Sequence, residues 1–377
     1  MSKVVYLAHY DLPGGQRSTS PAGTTVIRYV INSLENIKKQ TVLISPARSI
    51  KELPREEIQN GEHTKIVLLP TLKRPNKYNI PCRYINNLRQ RKNLEAELLN
   101  HLEDGDILMV YHSLSLIKTV RKIIKKRKIT LVLQVCEIYG DVINNALIKN
   151  KELEFFKIAD RYIFQSEMLE ALINTESKPC TVLYGTYEVL GNTATKDSYS
   201  DTTQKIKCVY AGTFDPRKGA IAVATAALHL PENYHIHILG FGTEKEVQDV
   251  KNKVSQISLQ SKCSISYDGC LSGREYIDFI SSCDVGLSTQ DPSAPFNATS
   301  FPSKILSYMA NGLRVVTIRI PAIEISAIGD SMYYYDQQTP ENIANAIMNI
   351  DIHDNYNGKE YIRRLNDKFL MQLRGLL

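Results

Sequence analysis

Two successive series of short apolar runs, separated by amphipathic segments, dominate this sequence. KVVYLAHY, TVLISPA and ITLVLQVCEIYG have the apolar, β-branched character of buried strands, and helical patterns stand between them. A second series begins with KCVYAG and continues through YHIHILG, DVGLST and LRVVTI. Because strands that alternate with helices form parallel sheets covered on both faces, the sequence predicts two doubly wound α/β domains.

The segment between the two series, residues 191–205, is polar and has no periodicity, as is typical of a linker. We therefore predict a Rossmann-like domain over residues 1–190 and a second Rossmann-like domain over residues 206–355. A chain of 377 residues is long enough for two hydrophobic cores. The amphipathic segment 356–377 is predicted to be a helix that packs back on the first domain.

The formal net charge of +6 comes from basic clusters in the first half of the chain. Such clusters suit an anionic membrane surface or nucleic acid, and the alternative is a pair of solvated helix faces. The chain has no Trp, and aromatic residues are not interleaved with the clusters, so we expect no nucleic-acid partner. The clusters are Lys73, Arg74, Lys77, Arg83, Arg89, Arg91 and Lys92, and then Lys118, Arg121, Lys122, Lys125, Lys126, Arg127 and Lys128.

No window of the sequence approaches the ~18 uninterrupted apolar residues of a membrane span. The first residues, MSKVVYLAHYDLPGG, do not resemble a signal peptide. We therefore expect a cytoplasmic protein, attached peripherally to the inner face of the cytoplasmic membrane through its basic first domain. The seven cysteines form no CxxC pair, so we expect buried free thiols rather than a zinc site.

Two motifs at strand ends predict phosphate contacts. Gly14 and Gly15 follow the first strand, where glycine lets backbone amides approach a phosphate, and a plain turn is the alternative. In YAGTFDPRKGA, Arg217 and Lys218 stand where a helix opens after a strand. Two cations there oppose the helix dipole unless an anion is near, so we predict that they bind a diphosphate, and a surface turn with two solvated cations is the alternative.

The stretch FNATSFPSKILSYMANGLRVV combines an irregular loop, a short helix that ends at Asn311-Gly312, and a strand. The start of a helix carries unpaired amides and the positive end of the dipole, so this stretch predicts an anion site. Two further strand-end loops, ILGFG and YDGC, supply candidates for contact with a nucleoside. These candidates are Gly240, Gly242, Gly269 and Cys270.

The order of these motifs resembles the carboxyl-terminal half of GT-B glycosyltransferases, and in particular the retaining family-4 enzymes, glycosyl transferases group 1, of bacterial polysaccharide biosynthesis. ADRYIFQS and TVLYGTY resemble the end of their amino-terminal domain. The resemblance implies two Rossmann-like domains that face a central cleft. It further implies a nucleotide-sugar donor on the second domain, an acceptor on the first, and no metal ion or other cofactor.

By the same resemblance, the loop before the short helix holds the donor diphosphate. Its residues are Ser300, Phe301, Pro302, Ser303 and Lys304, with Ser303 as the helix cap and Lys304 as an additional cation. Members of the family carry two glutamates that touch the sugar and the ribose. These positions correspond to Thr299 and Ser307, which are not acidic, and Asp291 is the candidate substitute.

Three residues at strand ends of the first domain are candidates for catalysis. CEIYGD contains Glu137 and Asp141, and VYHSLS contains His112 at the end of the preceding strand. A carboxylate at the end of a parallel strand is placed to orient an acceptor hydroxyl. For His112, a hydrogen-bonded structural role is the alternative.

Together these features predict a hexosyltransferase, and the resemblance implies that it retains the anomeric configuration and needs no metal. Its donor would be a nucleoside-diphosphate sugar, with UDP as the first choice, and its acceptor a lipid-linked or oligosaccharide intermediate of O-antigen, capsule or lipopolysaccharide assembly. The alternatives are a GT-B-shaped sugar-nucleotide epimerase, an inactive GT-B-like partner protein and a nucleic-acid-binding protein.

Overall fold

A computed structural model describes residues 2–73, 80–189 and 205–377. The chain forms two compact units. The first contains Met1–Gln165, Leu169–Thr186 and Lys368–Leu377, and the second contains Ser166–Met168 and Tyr187–Asp367. The predicted linker, apart from residue 205, lies outside the described residues, as do Arg74 and Lys77 of the first basic cluster.

The first unit is built on an eight-stranded sheet. Its strands are β1 Val4–Leu7, β2 Thr41–Ser45, β3 Glu56–Asn60, β4 Thr64–Leu68, β5 Ile107–Tyr111, β6 Thr130–Val135, β7 Arg161–Phe164 and β8 Cys180–Val182. Their order across the sheet is β3-β4-β2-β1-β5-β6-β7-β8. The strands from β4 to β8 in this order are parallel, as the alternation with helices predicts.

One edge of this sheet departs from the predicted parallel arrangement. β3 pairs antiparallel with β4, and Glu56 lies opposite Leu68. The sequence of β3, EEIQN, is polar, and none of its residues is buried. Because an exposed edge strand needs no apolar run, hydrophobic pattern alone did not reveal it.

In the described part of the first half, six helices alternate with these strands along the chain. They are α1 Pro21–Asn36, α2 Ile80–His101, α3 Ile117–Ile123, α4 Tyr139–Val142, α5 Ala146–Phe156 and α6 Glu167–Ile173. α1 starts at a proline, and the Ser20 hydroxyl accepts the Gly23 amide, which satisfies one of its open donors. Leu94 and Leu98 of α2 and Phe155 and Phe156 of α5 pack in the core beside the strands.

The second unit contains a six-stranded sheet in which every pair of strands is parallel. Its strands are β9 Ile206–Thr213, β10 Tyr234–Phe241, β11 Ser264–Gly269, β12 Val285–Ser288, β13 Arg314–Ile318 and β14 Tyr333–Tyr335. The order β11-β10-β9-β12-β13-β14 reverses direction between β9 and β12. The prediction of two doubly wound sheets is confirmed, and the reversal is the point where such folds bind ligands.

The helices of the second half are α7 Ala220–Ala226, α8 Glu244–Ser258, α9 Gly273–Ser281, α10 Lys304–Ala310, α11 Pro321–Glu324, α12 Pro340–Met348 and α13 Gly358–Leu376. α8 starts with a capping box between Thr243 and Glu246. The end of α13 belongs to the first unit. There the Phe369 ring lies 5.8 Å from that of Tyr29, between centroids, and the Thr181 hydroxyl donates to Gln372.

All seven cysteines are free thiols, and Cys208, Cys263 and Cys283 are buried. The prediction that the thiols are buried is wrong for Cys82 and Cys270, which are exposed. Residues 2–73, 80–189 and 205–377 contain no group of three His, Cys, Asp or Glu side chains that could hold a metal ion. Each helix in the described part of the chain is too short or too polar to cross a lipid bilayer.

Candidate functional site

A tight turn follows β9 where the strand order reverses. Pro216–Lys218 form a single 3-10 turn, and Gly219 has a left-handed φ of 83° before α7 begins. A Cβ at Gly219 would lie 1.7 Å from the Thr289 carbonyl oxygen. Glycine therefore allows the turn after β9 to approach the loop after β12.

Arg217 and Lys218 lie in this 3-10 turn, which corrects the expectation that they open the following helix. The Arg217 guanidinium donates to the Asp215 carboxylate, with an Nη2–Oδ2 distance of 2.6 Å. Asp215 also accepts the Arg217 amide at 2.9 Å. Hydrogen bonds from the Arg217 side chain are the largest cause of the lowered pKa of Asp215. Asp215 thus orients the guanidinium, a role that we did not predict.

The Lys304 ammonium is a buried charge at the end of β9. Its Nζ lies 3.9 Å from the centroid of the Tyr210 ring, shielded from solvent, and has no hydrogen-bond partner among the described residues. The strand end lies close by, since a Cβ at Gly212 would be 3.1 Å from Nζ. Burial, and then the charge of Lys218, lowers the pKa of Lys304 to about 7.

The buried Lys304 ammonium lowers the stability of the folded protein unless an anion is bound beside it. Burying an ammonium without a hydrogen-bonded partner is unfavourable by several kcal/mol, and a cation–π contact returns about 2 kcal/mol when desolvated. Lys218 adds repulsion, because its charge acts on Lys304. Perturbed groups at the carboxyl ends of parallel strands are typical of functional sites. The geometry therefore indicates an anion-binding site.

The loop before α10 supplies fewer amides than we predicted. Of the predicted positions 300–304, Pro302 has no N–H, so four backbone amides remain. Just beyond them, the amides of Ile305 and Leu306 donate to the carbonyls of Pro302 and Ser303. Ser303 occupies the cap position, but its side chain makes no capping hydrogen bond, so its predicted role as a cap is wrong. Phe301 is buried, and Ser300 is half-buried.

The predicted nucleoside and sugar contacts lie around this loop. Thr299 is half-buried, and the Ser307 hydroxyl lies 3.2 Å from the Tyr276 hydroxyl of α9. The Asp291 carboxylate accepts the amide and hydroxyl of Ser293 at 2.8 and 2.7 Å. The Asp291 amide donates to the Arg217 carbonyl, so this turn supports the 3-10 turn after β9.

Glycine is required at the predicted positions for different structural reasons. A Cβ at Gly240 would lie 1.9 Å from the Gly212 carbonyl oxygen, so glycine permits the close pairing of β9 and β10 at their ends. A Cβ at Gly242 would meet Glu246 of the capping box at 2.8 Å. Gly269 has a left-handed φ of 84°, and the exposed Cys270 follows it. These contacts explain two of the four glycine and cysteine positions without a ligand.

In the first unit, His112 is bound to a residue that we did not predict. Its Nε2 lies 2.7 Å from Oε1 of Glu152, and both side chains are buried. Glu152 also accepts the amides of Tyr139 and Gly140, at 3.0 and 2.6 Å, and so fixes the start of α4. His112 Nδ1 is buried without a hydrogen-bond partner among the described residues.

Glu137 and Asp141 lie beside this pair in the chain segment after β6. Glu137 is half-buried, and Asp141 makes an ion pair with Lys149 of α5 at 2.9 Å. The Tyr139 ring lies 5.5 Å from that of His112, measured between centroids. The structure therefore brings the predicted 137–141 segment to the strand end that carries His112.

The Gly14-Gly15 turn encloses a carboxylate. Asp11 Oδ2 accepts the Arg17 amide at 2.6 Å, and a Cβ at Gly15 would lie 2.1 Å from the same oxygen. Arg17 also pairs with Glu56, with an Nη1–Oε1 distance of 3.2 Å. This loop thus has a structural reason for its glycine, and the carboxylate that it encloses is paired with the Arg17 guanidinium, with an Nη1–Oδ1 distance of 3.7 Å.

Sequence reasoning missed Tyr210, Asp215, Glu152 and Gln290. Glu152 had a signal, because it shares a helix face with Phe155 and Phe156 and is buried with them. Gln290, after β12, is buried and its Nε2 has no hydrogen-bond partner among the described residues. Tyr210 lies within an apolar strand and had no signal of its own.

Two doubly wound domains in sequence, with a cation-bearing switch point in the second, define the GT-B class of fold. Residues 205–350 match the family model described as Glycosyl transferases group 1. The resemblance of the second half of the chain to group 1 glycosyltransferases, recognised from the sequence motifs, is therefore confirmed. No curated protein sequence is significantly similar to this chain.

Solved structures with the same fold cover the whole chain. An α,α-trehalose-phosphate synthase (UDP-forming) from Burkholderia vietnamiensis has a TM-score of 0.69 and 12% identity, over 100% of this chain and 98% of that one. HepE from Anabaena, in complex with UDP and glucose, has a TM-score of 0.66 and 13% identity over 100% of both chains. The E. coli trehalose-6-phosphate protein bound with UDP-2-fluoro glucose has a TM-score of 0.68 and 12% identity, over 97% of this chain and 96% of that one.

Proposed function

We propose that this chain is a glycosyltransferase that takes a sugar from a nucleoside-diphosphate donor, with UDP as the nucleotide, and needs no metal ion. The observation that carries the proposal is the buried Lys304 ammonium without a hydrogen-bond partner at the end of β9. The match of residues 205–350 to group 1 glycosyltransferases supports the reaction class. UDP is favoured because two solved structures of this fold contain UDP or a UDP-sugar.

Three cations around the turn after β9 supply the electrostatics of the proposed donor site. Arg217 is fixed by Asp215, Lys218 follows it, and the Lys218 charge acts on Lys304. Negative charge grows on the diphosphate as the bond to the anomeric carbon breaks. Fixed cations stabilise that charge at little cost in reorganisation. They perform the charge-neutralising role that a metal ion has in other transferases.

The acceptor belongs, in this proposal, to the first unit, with retention of configuration at the anomeric carbon. His112, Glu137 and Asp141 are the candidates for orienting the acceptor hydroxyl, and Glu152 holds the His112 ring. The Gly14-Gly15 turn is not included in the proposed donor site, because Asp11 lies against it.

An exposed apolar groove with a basic rim supports a lipid-linked acceptor at a membrane surface. The groove, of about 550 Å³, lies between α3 and α5, and its rim has three cations against one carboxylate. It is lined by Leu114, Ile117, Ile148, Lys118, Arg121, Lys151, Asn150 and Glu154. Leu147 and Ile143, in the same region of the chain, are 74% and 53% exposed. Apolar side chains surrounded by cations suit the surface of an anionic bilayer. We propose peripheral attachment there and a role in surface polysaccharide assembly.

A thermal-shift series with UDP, GDP, ADP, CDP and TDP tests the donor site. We expect stabilisation by UDP above all, and loss of that stabilisation in Arg217→Ala and in Lys304→Met. Release of UDP from a UDP-sugar only when an acceptor is supplied would distinguish transfer from epimerisation. Absence of a shift with every nucleotide would refute the proposed function.

A further inference from the structure

The first unit contains a cavity that shares no lining residue with the candidate site described above. Its volume is about 390 Å³. His9 follows β1, Arg48 and Ser49 follow β2, and Leu72 follows β4, and all four line it. The cavity therefore lies at the carboxyl ends of parallel strands, where α/β sheets bind their ligands.

The opposite wall comes from one face of α2. Arg83, Asn86, Asn87 and Gln90 line the cavity and have the spacing of neighbours on a single helix face. Further along the helix the same face continues as Leu94 and Leu98, which are buried in the core. The face thus changes from apolar to polar where it reaches the cavity. These four side chains are exposed or half-buried, so they leave amide and guanidinium groups available along this wall of the cavity.

The charge of the cavity wall is positive. Arg48 and Arg83 line it, and the described lining residues include no Asp or Glu. His9 is a neutral member of the wall, because burial and then the Arg48 charge lower its pKa to about 4. Its Nε2 lies 2.8 Å from the Ser115 hydroxyl oxygen. Two guanidinium groups beside amides and hydroxyls match an anionic group attached to a hydroxyl-rich body.

We propose that this cavity binds a sugar that carries a phosphate or a carboxylate, and that this anionic sugar is the end of the acceptor. The second part of the inference rests on the proposed glycosyltransferase function. Arg48 and Arg83 bind the anion, and Asn86, Asn87 and Gln90 bind ring hydroxyls. The cavity, of about 390 Å³, is large enough for one sugar ring with its charged substituent.

Calorimetric titration of the full chain with four probes tests the inference: a hexose phosphate, a hexuronic acid, the uncharged hexose and inorganic phosphate. We expect one of the charged sugars to bind at least about tenfold more tightly than both the uncharged hexose and inorganic phosphate. Arg83→Gln should weaken that binding about tenfold or more, since a hydrogen bond to a charged group contributes about 1.5–3 kcal/mol. The matched control is Arg89→Gln, an exposed residue of α2 outside the cavity, which should leave binding unchanged.

A parallel titration with UDP separates this inference from the proposed function. Arg83→Gln should bind UDP like the native chain. If the native chain binds UDP but no charged sugar, the cavity assignment is overturned and the donor site stands. Equal binding of inorganic phosphate and the charged sugars, or equal weakening in Arg83→Gln and Arg89→Gln, would also overturn it. Binding of a charged sugar without UDP would support the cavity, refute the donor site, and overturn the assignment of this sugar as the end of the acceptor.

Discussion

The Lys304 ammonium lies over the face of the Tyr210 ring, with 3.9 Å between Nζ and the ring centroid. The helix that carries Lys304 follows β12, whereas Tyr210 belongs to β9, so the pair spans the topological switch point. The aromatic face offers the cation some stabilisation but no hydrogen bond. The pair therefore places a positive charge where an anion can bind, and this charge lowers the stability of the unliganded protein.

Replacement of this lysine should separate stability from binding. Lys304→Met keeps the side-chain length and removes the buried charge, so we expect the unliganded protein to melt at a temperature raised by about 2–4 °C or more. The same variant should lose the stabilisation by UDP. Differential scanning fluorimetry with and without UDP measures both effects.

Lys251 offers a matched control for this substitution. Its Nζ also lies over a tyrosine ring, 5.3 Å from the Tyr267 centroid, but Lys251 is exposed. Lys251→Met should change neither the melting temperature nor the UDP shift appreciably. A Lys304→Met protein that keeps its full UDP shift would contradict the assignment of Lys304 to the donor site.

The affinity for UDP should depend on pH through Lys304. Burial, and then Lys218, lowers the pKa of its ammonium to about 7, and a bound diphosphate would raise it again. Binding therefore takes up a proton above pH 7, and the UDP affinity should fall by up to about tenfold for each pH unit from 7 upward. Phosphate itself is largely ionised above pH 7, so its own titration adds little.

Calorimetry between pH 7 and pH 9 measures this dependence, and Lys304→Met should give a flat profile. The stability of the unliganded protein should show the opposite trend. In the unfolded chain Lys304 has its ordinary pKa of 10.5, so the unfolded state binds more protons above pH 7. The free energy of unfolding should therefore rise with pH relative to that of Lys304→Met. A native affinity for UDP that is constant over this range would exclude a titrating Lys304.

The pattern of the sequence predicted the parallel strands but not the contacts that decide the site. Buried strands such as VVYL and RVVTI are visible because parallel strands between helices must be apolar. The edge strand EEIQN has no such requirement and was missed. Asp215 lies two residues before Arg217, and only three-dimensional structure shows that the turn brings its carboxylate to the guanidinium.

The cavity of the first unit shows the same limit of pattern reasoning. Arg83 belongs to a basic cluster that the sequence assigned as a whole to a surface. In the structure, Arg83 lines the cavity, whereas Arg89 of the same cluster does not. Charge counts along the chain do not distinguish residues on different faces of a helix.

Substitution of Glu152 should destabilise the first unit. Its carboxylate accepts hydrogen bonds from His112 and from the amides of Tyr139 and Gly140. Glu152→Gln would turn an NH₂ group towards one of these donors, so we expect a loss of about 2–4 kcal/mol in the free energy of unfolding. The control is Glu154→Gln on the same helix, where an exposed pair with Lys157 is lost and the change should stay within about 0.5 kcal/mol. Equal stability of both variants in urea denaturation would contradict this role of Glu152.

Gly219 tests the close approach that forms the turn after β9. Gly219→Ala would place a methyl group 1.7 Å from the Thr289 carbonyl oxygen and would also strain a φ of 83°. Gly105→Ala shares the strain, with a φ of 92°, but its Cβ meets no atom within 4 Å. We expect Gly219→Ala to cost about 1–3 kcal/mol more than Gly105→Ala in urea denaturation and to weaken UDP binding. If both variants lose the same free energy of unfolding, the turn after β9 can move away from Thr289, and the close approach is not required.

The basic rim of the groove between α3 and α5 should control attachment to membranes. Lys118 and Arg121 line the groove and are exposed, and each contributes about 1 kcal/mol near an anionic bilayer. Reversal of both charges, Lys118→Glu with Arg121→Glu, should reduce binding to phosphatidylglycerol vesicles by at least about tenfold. Binding of the native chain should weaken as salt is added.

Vesicle sedimentation measures this binding, with neutral phosphatidylcholine vesicles as the lipid control. The matched protein control reverses two exposed cations of the second unit, Lys245→Glu with Lys262→Glu, so the change in net charge is the same. If membrane attachment depends on the local surface, only the α3 variant loses binding, because screening limits the reach of each charge to about 10 Å at 0.1 M salt. Equal loss in both double variants would indicate attraction by net charge alone and would remove the groove as the attachment surface.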